Sequence, residues 1–592
     1  MTNRTSLWKK FSNNKMKFRT ERQLQKEFLL KDGDYKSIRD MLGRLRAMYP
    51  KKNILAELDD KQNIVYYTAE DIYEEVMNLG DGLIEAGLEG KHIAIISENC
   101  CRYILADITI SSGVGVVTPI DVNAPLELMV TLLGKCDADA VLCRAAQVET
   151  LREAAKHLPR LKTLITIDRT VEGLLSYDEL VETGRKMKEQ SRFRNLELDL
   201  DAPAKILFTS GTTGANKGVV LTNANLAANM VNCMDAVRAT DEENTSMSVL
   251  PMHHATEINT HIMTRIGSGR LTYVNGNIRN MMTNLKIFQP TITTIVPMIL
   301  NAFYKNIWAN ARKAGKEEKL KKGIKISNLL RKFGIDKTHS MFKDIYEPFG
   351  GKLDMIVSGG SMLNPVVIKG MNDLGWRIEN GYGITECGPL ISINADTLSE
   401  HLSVGKPCPG LQVKIANPDE NGIGDLCVKG KSVFREYYKD PEATAAVFDA
   451  EGYFNTGDSA RIDAQGRIFL MGRKKNTIVL PSGKNICPEE VENVIETGMD
   501  FADDIVVYRA EQRVGNAIRE VLVAGLYISD EAVRADREKI AATMRQINAT
   551  LPDYKQIEYI ELPATGYEKT STRKIKRAGL PTVCSGEGIN LS

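Results

Sequence analysis

Residues 207–222 read LFTSGTTGANKGVVLT, which sets Thr209, Ser210, Thr212 and Thr213 around Gly211 and Gly214, with Lys217 close behind. Hydroxyls, a backbone free to fold onto a ligand and one ammonium are the donors that a phosphate group takes up. The spacing is not G-x-x-x-x-G-K-[ST]: Lys217 lies three residues after Gly214 and is followed by Gly218, which disfavours a P-loop kinase. A Gly/Ser/Thr-rich linker is the competing explanation. Two later segments, MIVSGGSML and IENGYGITECGP, each close an apolar run with glycine. Gly359 and Gly360 permit a flat ring to approach the backbone, Tyr382 offers an aromatic face, and Thr385 with Glu386 offers a hydroxyl and a hard carboxylate suited to Mg²⁺. FNTGD supplies Asp458 and MGRKKN supplies Arg473, a carboxylate that can accept from two ribose hydroxyls and a guanidinium that can donate to them. LPMHHATEI brings His253, His254 and Glu257 together. Adjacent histidines point in different directions on a strand or a helix, so packed or site-lining side chains compete there with a metal site.

To act together, these segments must sit at the ends of regular elements. AKILF has the composition of a buried strand, and Thr222 is placed to cap a helix over TNANLAANMVNCMDAV. Strand, loop and helix in that order predict an anion-binding edge of an open sheet. From VYYTAEDIYEEVMNLGDGLIEAGL onward, helical-period segments alternate with the apolar runs HIAIIS, GVGVVTPI, DAVLC and LKTLITI, which predicts an α/β architecture with a largely parallel sheet. A second α/β half is expected to begin at AKILFTS and to run through TTIVP, LDMIVSGG and WRIENGYG. It carries a basic helical insert, with eleven Lys/Arg against three Asp/Glu over residues 305–337. After about residue 392, short strands punctuated by Gly and Pro predict a small β-rich subdomain. From residue 474, NTIVL, DIVVYR, EVLVAGLYI and IEYIELP read as strands and 488–496 and 531–550 as helices, a compact α+β module. The expected organisation is a basic extension (1–30), a large domain of two α/β subdomains and a β-rich subdomain (31–473), a small mobile α+β domain (474–580) and a tail (581–592).

Composition limits what such a site serves. With 43% hydrophobic and 26% charged residues and a net charge of +1 over 592 residues, the chain is globular and lacks the basic excess that nucleic acid requires. No uncharged apolar run reaches the length of about 18 residues that reads as a transmembrane helix, and the N-terminus lacks the apolar centre of an export signal. Ten cysteines without a C-x-x-C pair read as reduced thiols in a cytoplasmic protein. The first thirty residues hold eight Lys/Arg against two Asp/Glu, interleaved with Trp8, Phe11 and Phe18. Together with the basic insert they suggest peripheral contact with anionic membrane, against the plainer alternative of a solvated terminus.

The motifs, in this order over residues 66–576, resemble those of the adenylate-forming superfamily of acyl-CoA synthetases, luciferases and peptide-synthetase adenylation domains. The insert, VSGGSMLNPVV and VLPSGKNICPEEVE are most similar to bacterial long-chain fatty acyl-CoA synthetases. The resemblance implies ATP, Mg²⁺ and CoA as cofactor and co-substrates. It places Thr209, Ser210, Gly211, Thr212, Thr213, Gly214 and Lys217 on the β- and γ-phosphates, and Ser358, Gly359, Gly360, Ser361, Asn380 and Tyr382 on adenine. It also places Thr385 on the α-phosphate, Glu386 on magnesium, Asp458 and Arg473 on ribose, and His254 in the acyl channel. Lys475 corresponds to the domain hinge and Lys574, in EKTSTRKIKRAG, to the lysine that bridges carboxylate and α-phosphate. Arg573 departs from the family's glycine there. The implied activity is adenylation of a medium- or long-chain fatty acid followed by transfer to CoA. A carrier-protein-loading acyl-AMP ligase and a non-catalytic nucleotide- or acyl-binding homologue are the alternatives.

Overall fold

A computed structural model describes residues 35–210, 216–236, 244–395, 397, 400–480, 484–499, 501–514, 517–569 and 575–591. Two large sheets form the greater part of it. The first runs in the order Glu436–Tyr437, Asn216–Thr222, Pro203–Ser210, Gly115–Pro119, Lys91–Ile96, Ala140–Cys143, Thr163–Thr166, Leu175–Ser176, parallel from Pro203–Ser210 to its far edge. Its strands are apolar on both faces because both faces are covered by helices. Ile93 and Ile95 enter one core cluster, while Ala94 and Ile96 enter another on the opposite face. The second sheet has nine strands, with Asn53–Leu58, Thr272–Val274, Ser246–Ser248, Ile292–Ile295, Met355–Gly359 and Arg377–Gly383 as its parallel centre.

The α/β expectation holds, but the division between the halves differs from the sequence-based one. AKILFTS does not open the second half; its strand pairs in parallel with Gly115–Pro119 and completes the first sheet. Conversely, Asn53–Leu58, near the start of the chain, belongs to the second sheet. Local composition marks a strand but not which parallel neighbour it takes, because that choice is made through contacts far apart in sequence. A second difference lies behind the phosphate-type loop. GVVLT is not loop but part of the strand Asn216–Thr222, which pairs antiparallel with Pro203–Ser210 and sets Thr209 opposite Lys217. Thr222 still caps the following helix, Asn223–Ala236: its Oγ1 accepts from Asn225 N at 3.2 Å and Asn225 Oδ1 accepts from Thr222 N at 2.9 Å.

The β-rich subdomain is a four-stranded antiparallel sheet of Leu411–Ala416, Gly424–Gly430, Phe454–Ile462 and Ile468–Arg473. The C-terminal module pairs Asp504–Val514 with Ala517–Tyr527 and packs helices Pro488–Gly498 and Arg537–Asn548 on one face through Val491, Ile495, Ile540 and Met544. The helix expected over 531–550 is two, Glu531–Ala535 and Arg537–Asn548. Asp536 leaves helical geometry between them, and its carboxylate accepts from Lys539 N to cap the second. Of residues 581–592, expected as a tail, the described part to 591 is tied in by the strand Ile589–Asn590, which pairs with Tyr559–Glu561. None of the ten cysteines forms a disulfide.

A lysine–carboxylate pair lies inside the large region. Lys205, on the core-facing side of Pro203–Ser210, donates to Asp107 Oδ1 at 2.6 Å and to Asn259 Oδ1 at 2.8 Å; lysine and aspartate are each 2% exposed. Burial raises the Asp107 carboxyl, and the Lys205 ammonium opposes that rise. Removing one member strands the other charge in the core. Lys205→Met is therefore expected to cost about 3–5 kcal/mol in urea unfolding, while Lys205→Met with Asp107→Leu recovers most of that loss. A double variant as unstable as the single one would show that the pair is not the cause.

Candidate active site

The strand Arg377–Gly383 and the turn after it form the spine of the site. Ser358 and Gly359, at the end of Met355–Gly359, lie opposite Asn380 and Gly381 in the parallel ladder. A Cβ on Gly359 would meet the Gly381 carbonyl oxygen at 2.4 Å, so only glycine lets the two backbones close here. Gly360, at φ +89°, has open space where its Cβ would be, and both it and Ser361 are exposed. Ser358 is fully buried, and its hydroxyl has no hydrogen-bond partner among the described residues. Together these give a glycine-lined, open-sided ledge that can take a flat ring.

Tyr382 was expected to offer its face. The structure buries it to 7% exposure and turns its hydroxyl to Asp458 Oδ2, at 2.6 Å. Asp458 is set in the strand Phe454–Ile462 directly opposite Arg473, whose Nε reaches Asp458 Oδ1 at 2.8 Å. Both oxygens of this carboxylate are thus engaged, by one neutral and one charged donor, and ligand hydroxyls would compete with them. Burial, and then the Asp458 charge, push the Tyr382 hydroxyl well above its ordinary range, so it remains a donor.

Four residues beyond Tyr382, Glu386 accepts from Tyr437 Oη at Oε1, 2.9 Å away. Tyr437 sits in the edge strand Glu436–Tyr437, paired with Val219, and its ring lies 4.6 Å below Lys217 Nζ. One side chain therefore links the proposed magnesium ligand to the phosphate-hairpin lysine. Among the described residues no group of three or more His, Cys, Asp or Glu forms a metal cluster. A single accessible carboxylate is nonetheless the donor set that suits a Mg²⁺ ion completed by water and phosphate oxygens.

The histidine pair is packed, not clustered with Glu257. His253 and His254 have ring centroids 4.1 Å apart, whereas Glu257 Oε1 pairs with His261 Nδ1 at 3.0 Å inside the π-helical turn Thr256–Ile262. That turn is anchored at Asn259: Lys205 donates to its side chain, and Asn229 Nδ2 donates to its carbonyl at 3.0 Å. Asn229 Oδ1 in turn accepts from Leu390 N, just past the Glu386 turn, at 3.2 Å.

Lys475 occupies the turn Lys474–Asn476 immediately after Arg473; burial and then the Arg473 charge lower its ammonium below the ordinary range. The C-terminal module meets the large region near this turn through polar groups. Asn364 Nδ2 donates to Asn493 O and Thr497 Oγ1, and Asn301 Nδ2 donates to Glu496 Oε2; within the module, Asn476 Nδ2 donates to Glu489 Oε1.

The structure thus gathers Thr209, Lys217, Glu386 and Tyr437 around one hairpin, and Ser358, Asn380 and Tyr382 on two adjoining strands of the second sheet, with Asp458 and Arg473 on a hairpin of the β-rich sheet that meets Tyr382. Gly211, Thr212, Thr213, Gly214, Lys574 and the Ser210 side chain lie outside the described residues. Tyr437, Asn229, Asn259, Lys205 and Asp107 were not anticipated. The one sequence signal among them is the recurrence of asparagine along the otherwise apolar helix Asn223–Ala236, where Asn229 is fully buried.

A parallel α/β region carries a glycine-lined ledge, a carboxylate held by a tyrosine and an arginine, and a lysine-bearing hairpin. The profile of the family described as AMP-binding enzyme matches residues 46–438, and the chain belongs to that family. A long-chain-fatty-acid–CoA ligase 1 from Cavia porcellus is 28% identical over 469 residues, 72% of this chain and 65% of the relative. A peroxisomal long chain acyl-CoA synthetase 6 from Arabidopsis thaliana is 27% identical over 494 residues, 77% and 68% respectively. The chain spans about two thirds of the length of these curated relatives. In fold it is similar to the anthranilate CoA ligase AuaEII in complex with anthranoyl-AMP, with TM-score 0.73, 17% identity and coverage of 92% of this chain and 97% of that one. It is also similar to o-succinylbenzoate CoA synthetase from Bacillus subtilis, with TM-score 0.67, 17% identity and coverage of 90% and 96%. The large N-terminal and small C-terminal domains are common to this fold.

The buried histidine gives a pH test. Burial lowers His253 to about 4, and Asp121 Oδ2, 3.9 Å from Nε2, is beyond hydrogen-bonding distance. The unfolded chain takes up this proton near 6.5, so it binds more protons than the folded one between these two values. Acid therefore removes about 1.4 kcal/mol of stability per pH unit in that window. His253→Gln lacks this term: its urea midpoint relative to wild type should climb as pH falls through the window and stay level above it. A level difference throughout would contradict a neutral buried imidazole.

Proposed function

We propose that the protein activates a medium- or long-chain fatty acid with ATP and transfers it to the thiol of CoA. In the first step a carboxylate oxygen bonds to the α-phosphorus and the bond to the bridging oxygen of pyrophosphate breaks, which leaves acyl-AMP. In the second the CoA sulfur bonds to the acyl carbon, AMP departs with the electron pair, and the thiol proton passes to solvent. The observation that carries this reading is the single strand and turn Arg377–Cys387, which directs Tyr382 to Asp458 and Glu386 to Tyr437 beside Lys217. The names of the relatives support the fatty-acid class.

In this reading Thr209 to Gly214 and Lys217 hold the β- and γ-phosphates, and Thr385 holds the α-phosphate. Ser358, Gly359, Gly360, Ser361, Asn380 and Tyr382 hold adenine, and Asp458 and Arg473 the ribose. Glu386 would hold Mg²⁺, which supplies charge neutralisation at the phosphates. His254 lines the acyl side, and Lys574 is the ammonium that relieves repulsion between two anions meeting in line. Rotation of the small domain about Lys475 exchanges the face bearing Lys574 for one that admits the thiol. The reading includes a cytoplasmic location, with the basic segments in peripheral contact with anionic membrane.

ATP–pyrophosphate exchange with a panel of carboxylic acids tests it. Fatty acids should stimulate exchange, Lys574→Ala should lower it about 10²–10³-fold, and acyl-CoA should form when CoA is added. Thioester formation only on a holo carrier protein would replace CoA as acceptor, and ATP binding without exchange for any acid would overturn the catalytic reading. Tyr437→Phe keeps the ring over Lys217 but removes the Glu386 hydrogen bond. Calorimetric titration of ATP with Mg²⁺ should show affinity reduced about tenfold, the equivalent of one hydrogen bond to a charged group, and Tyr437→Leu a larger loss. Unchanged affinity in both variants would remove Tyr437 from the site.

A further inference from the structure

The basic insert folds as the helix Glu317–Lys332, which follows Pro297–Lys313. It buries little: Leu320 and Ser327 are its buried residues, with Ile324 packed on the neighbouring core. On the side away from that core its apolar residues face solvent. Ile326 is 53% exposed and Leu329 55%. Phe333, the C-cap, is 74% exposed, the highest value for a large hydrophobic residue among those described. At 3.6 residues per turn, Lys322, Ile326, Leu329 and Phe333 fall within a sector of about 60°. Ile335, two residues beyond, is 45% exposed.

The cations of this region separate by role. Lys321 is paired with Glu317 and Glu318, and Arg331 donates to the Asn372 and Asp373 carbonyls. Lys319, Lys322, Lys325, Lys332 and Lys337 are exposed, and no described residue forms an ion pair with them. An apolar stripe with unpaired lysines on and beside it is the pattern of a helix lying in a lipid interface: rings and branched chains enter the acyl boundary while lysine stems snorkel to anionic headgroups.

Other occupants fit the charge less well. A second copy docked by a two-fold axis would set these lysines against their own equivalents. The chain's first thirty residues, with eight Lys/Arg against two Asp/Glu, are likewise basic. We infer that the face of Glu317–Lys332 formed by Lys322, Ile326, Leu329 and Phe333 docks the protein on an anionic lipid bilayer. This deepens the membrane contact proposed above and depends on neither the acid nor the acceptor.

Co-sedimentation of the full chain with vesicles, without ATP, acid or CoA, tests it. Vesicles of phosphatidylcholine with phosphatidylglycerol should bind the wild type, and phosphatidylcholine alone or high salt should not. Leu329→Ser with Phe333→Ser, and separately Lys319→Glu with Lys322→Glu and Lys325→Glu, should each reduce binding about tenfold or more. All five positions are solvent-exposed or at a helix end, so melting temperature and acid-stimulated ATP–pyrophosphate exchange should stay at wild-type values. Binding unchanged in both variants would overturn the inference. So would binding lost only on deletion of residues 1–34, or concentration-dependent dimerisation abolished by Phe333→Ser without any vesicle binding. Because the assay contains no substrate, failure of the ligase reading leaves its outcome intact.

Discussion

The Lys205 ammonium has no access to water, and it fixes the geometry of what surrounds it. A buried charge must be met where it sits. It is met by Asp107 from a helix of the first half and by Asn259 from the π-helical turn behind the histidine pair. Through Asn229 the same turn is linked to Leu390 N, just past the turn that carries Glu386. The strand that leads into the phosphate hairpin, the segment that carries His254 and the turn that carries Glu386 are thus joined by consecutive hydrogen bonds. Such a chain tolerates few alternative registers, since each member is held by the next.

That rigidity contrasts with the joint to the C-terminal module, where the contacts named are amide, hydroxyl and carboxylate groups. Polar seams can open without exposing apolar area, which makes relative motion inexpensive. The turn Lys474–Asn476 stands at this seam with Arg473 on one side, held by Asp458, and Asn476 on the other, held by Glu489. These anchored neighbours leave the turn between them as the place where the proposed rotation would be taken up.

Much of this was legible in the sequence because it rests on local rules. Short apolar runs marked the strands, and Thr222 marked a helix start. Glycines at 359 and 360 marked a place open to close approach, although the backbone contact of Gly359 with Gly381 was not foreseen. What escaped depends on distance. Nothing around Lys205 points to Asp107, 98 residues away, and nothing around Tyr437 points to Glu386, 51 residues away. The strand Asn216–Thr222 was read as loop because its neighbouring glycines outweigh VVL in a local window. The ladder with Pro203–Ser210 supplies hydrogen bonds that local composition does not weigh. Glu257 was grouped with His253 and His254 by proximity in sequence, yet on a helical turn its neighbour in space is His261, four residues on.

The same distinction explains why the two site carboxylates differ in character. Asp458 is 6% exposed and satisfied by Tyr382 and Arg473, so its charge is balanced before any ligand arrives. Glu386 is partly exposed, and its Oε1 accepts from the Tyr437 hydroxyl. A balanced carboxylate suits recognition of neutral hydroxyls, because exchanging one donor for another changes little in the field around it. An under-satisfied carboxylate suits a cation, since the charge it lacks is what the ion brings. Tyr382 and Glu386, four residues apart on one strand and turn, meet these different surroundings: Tyr382 joins Arg473 in satisfying Asp458, whereas Glu386 receives only the Tyr437 hydroxyl.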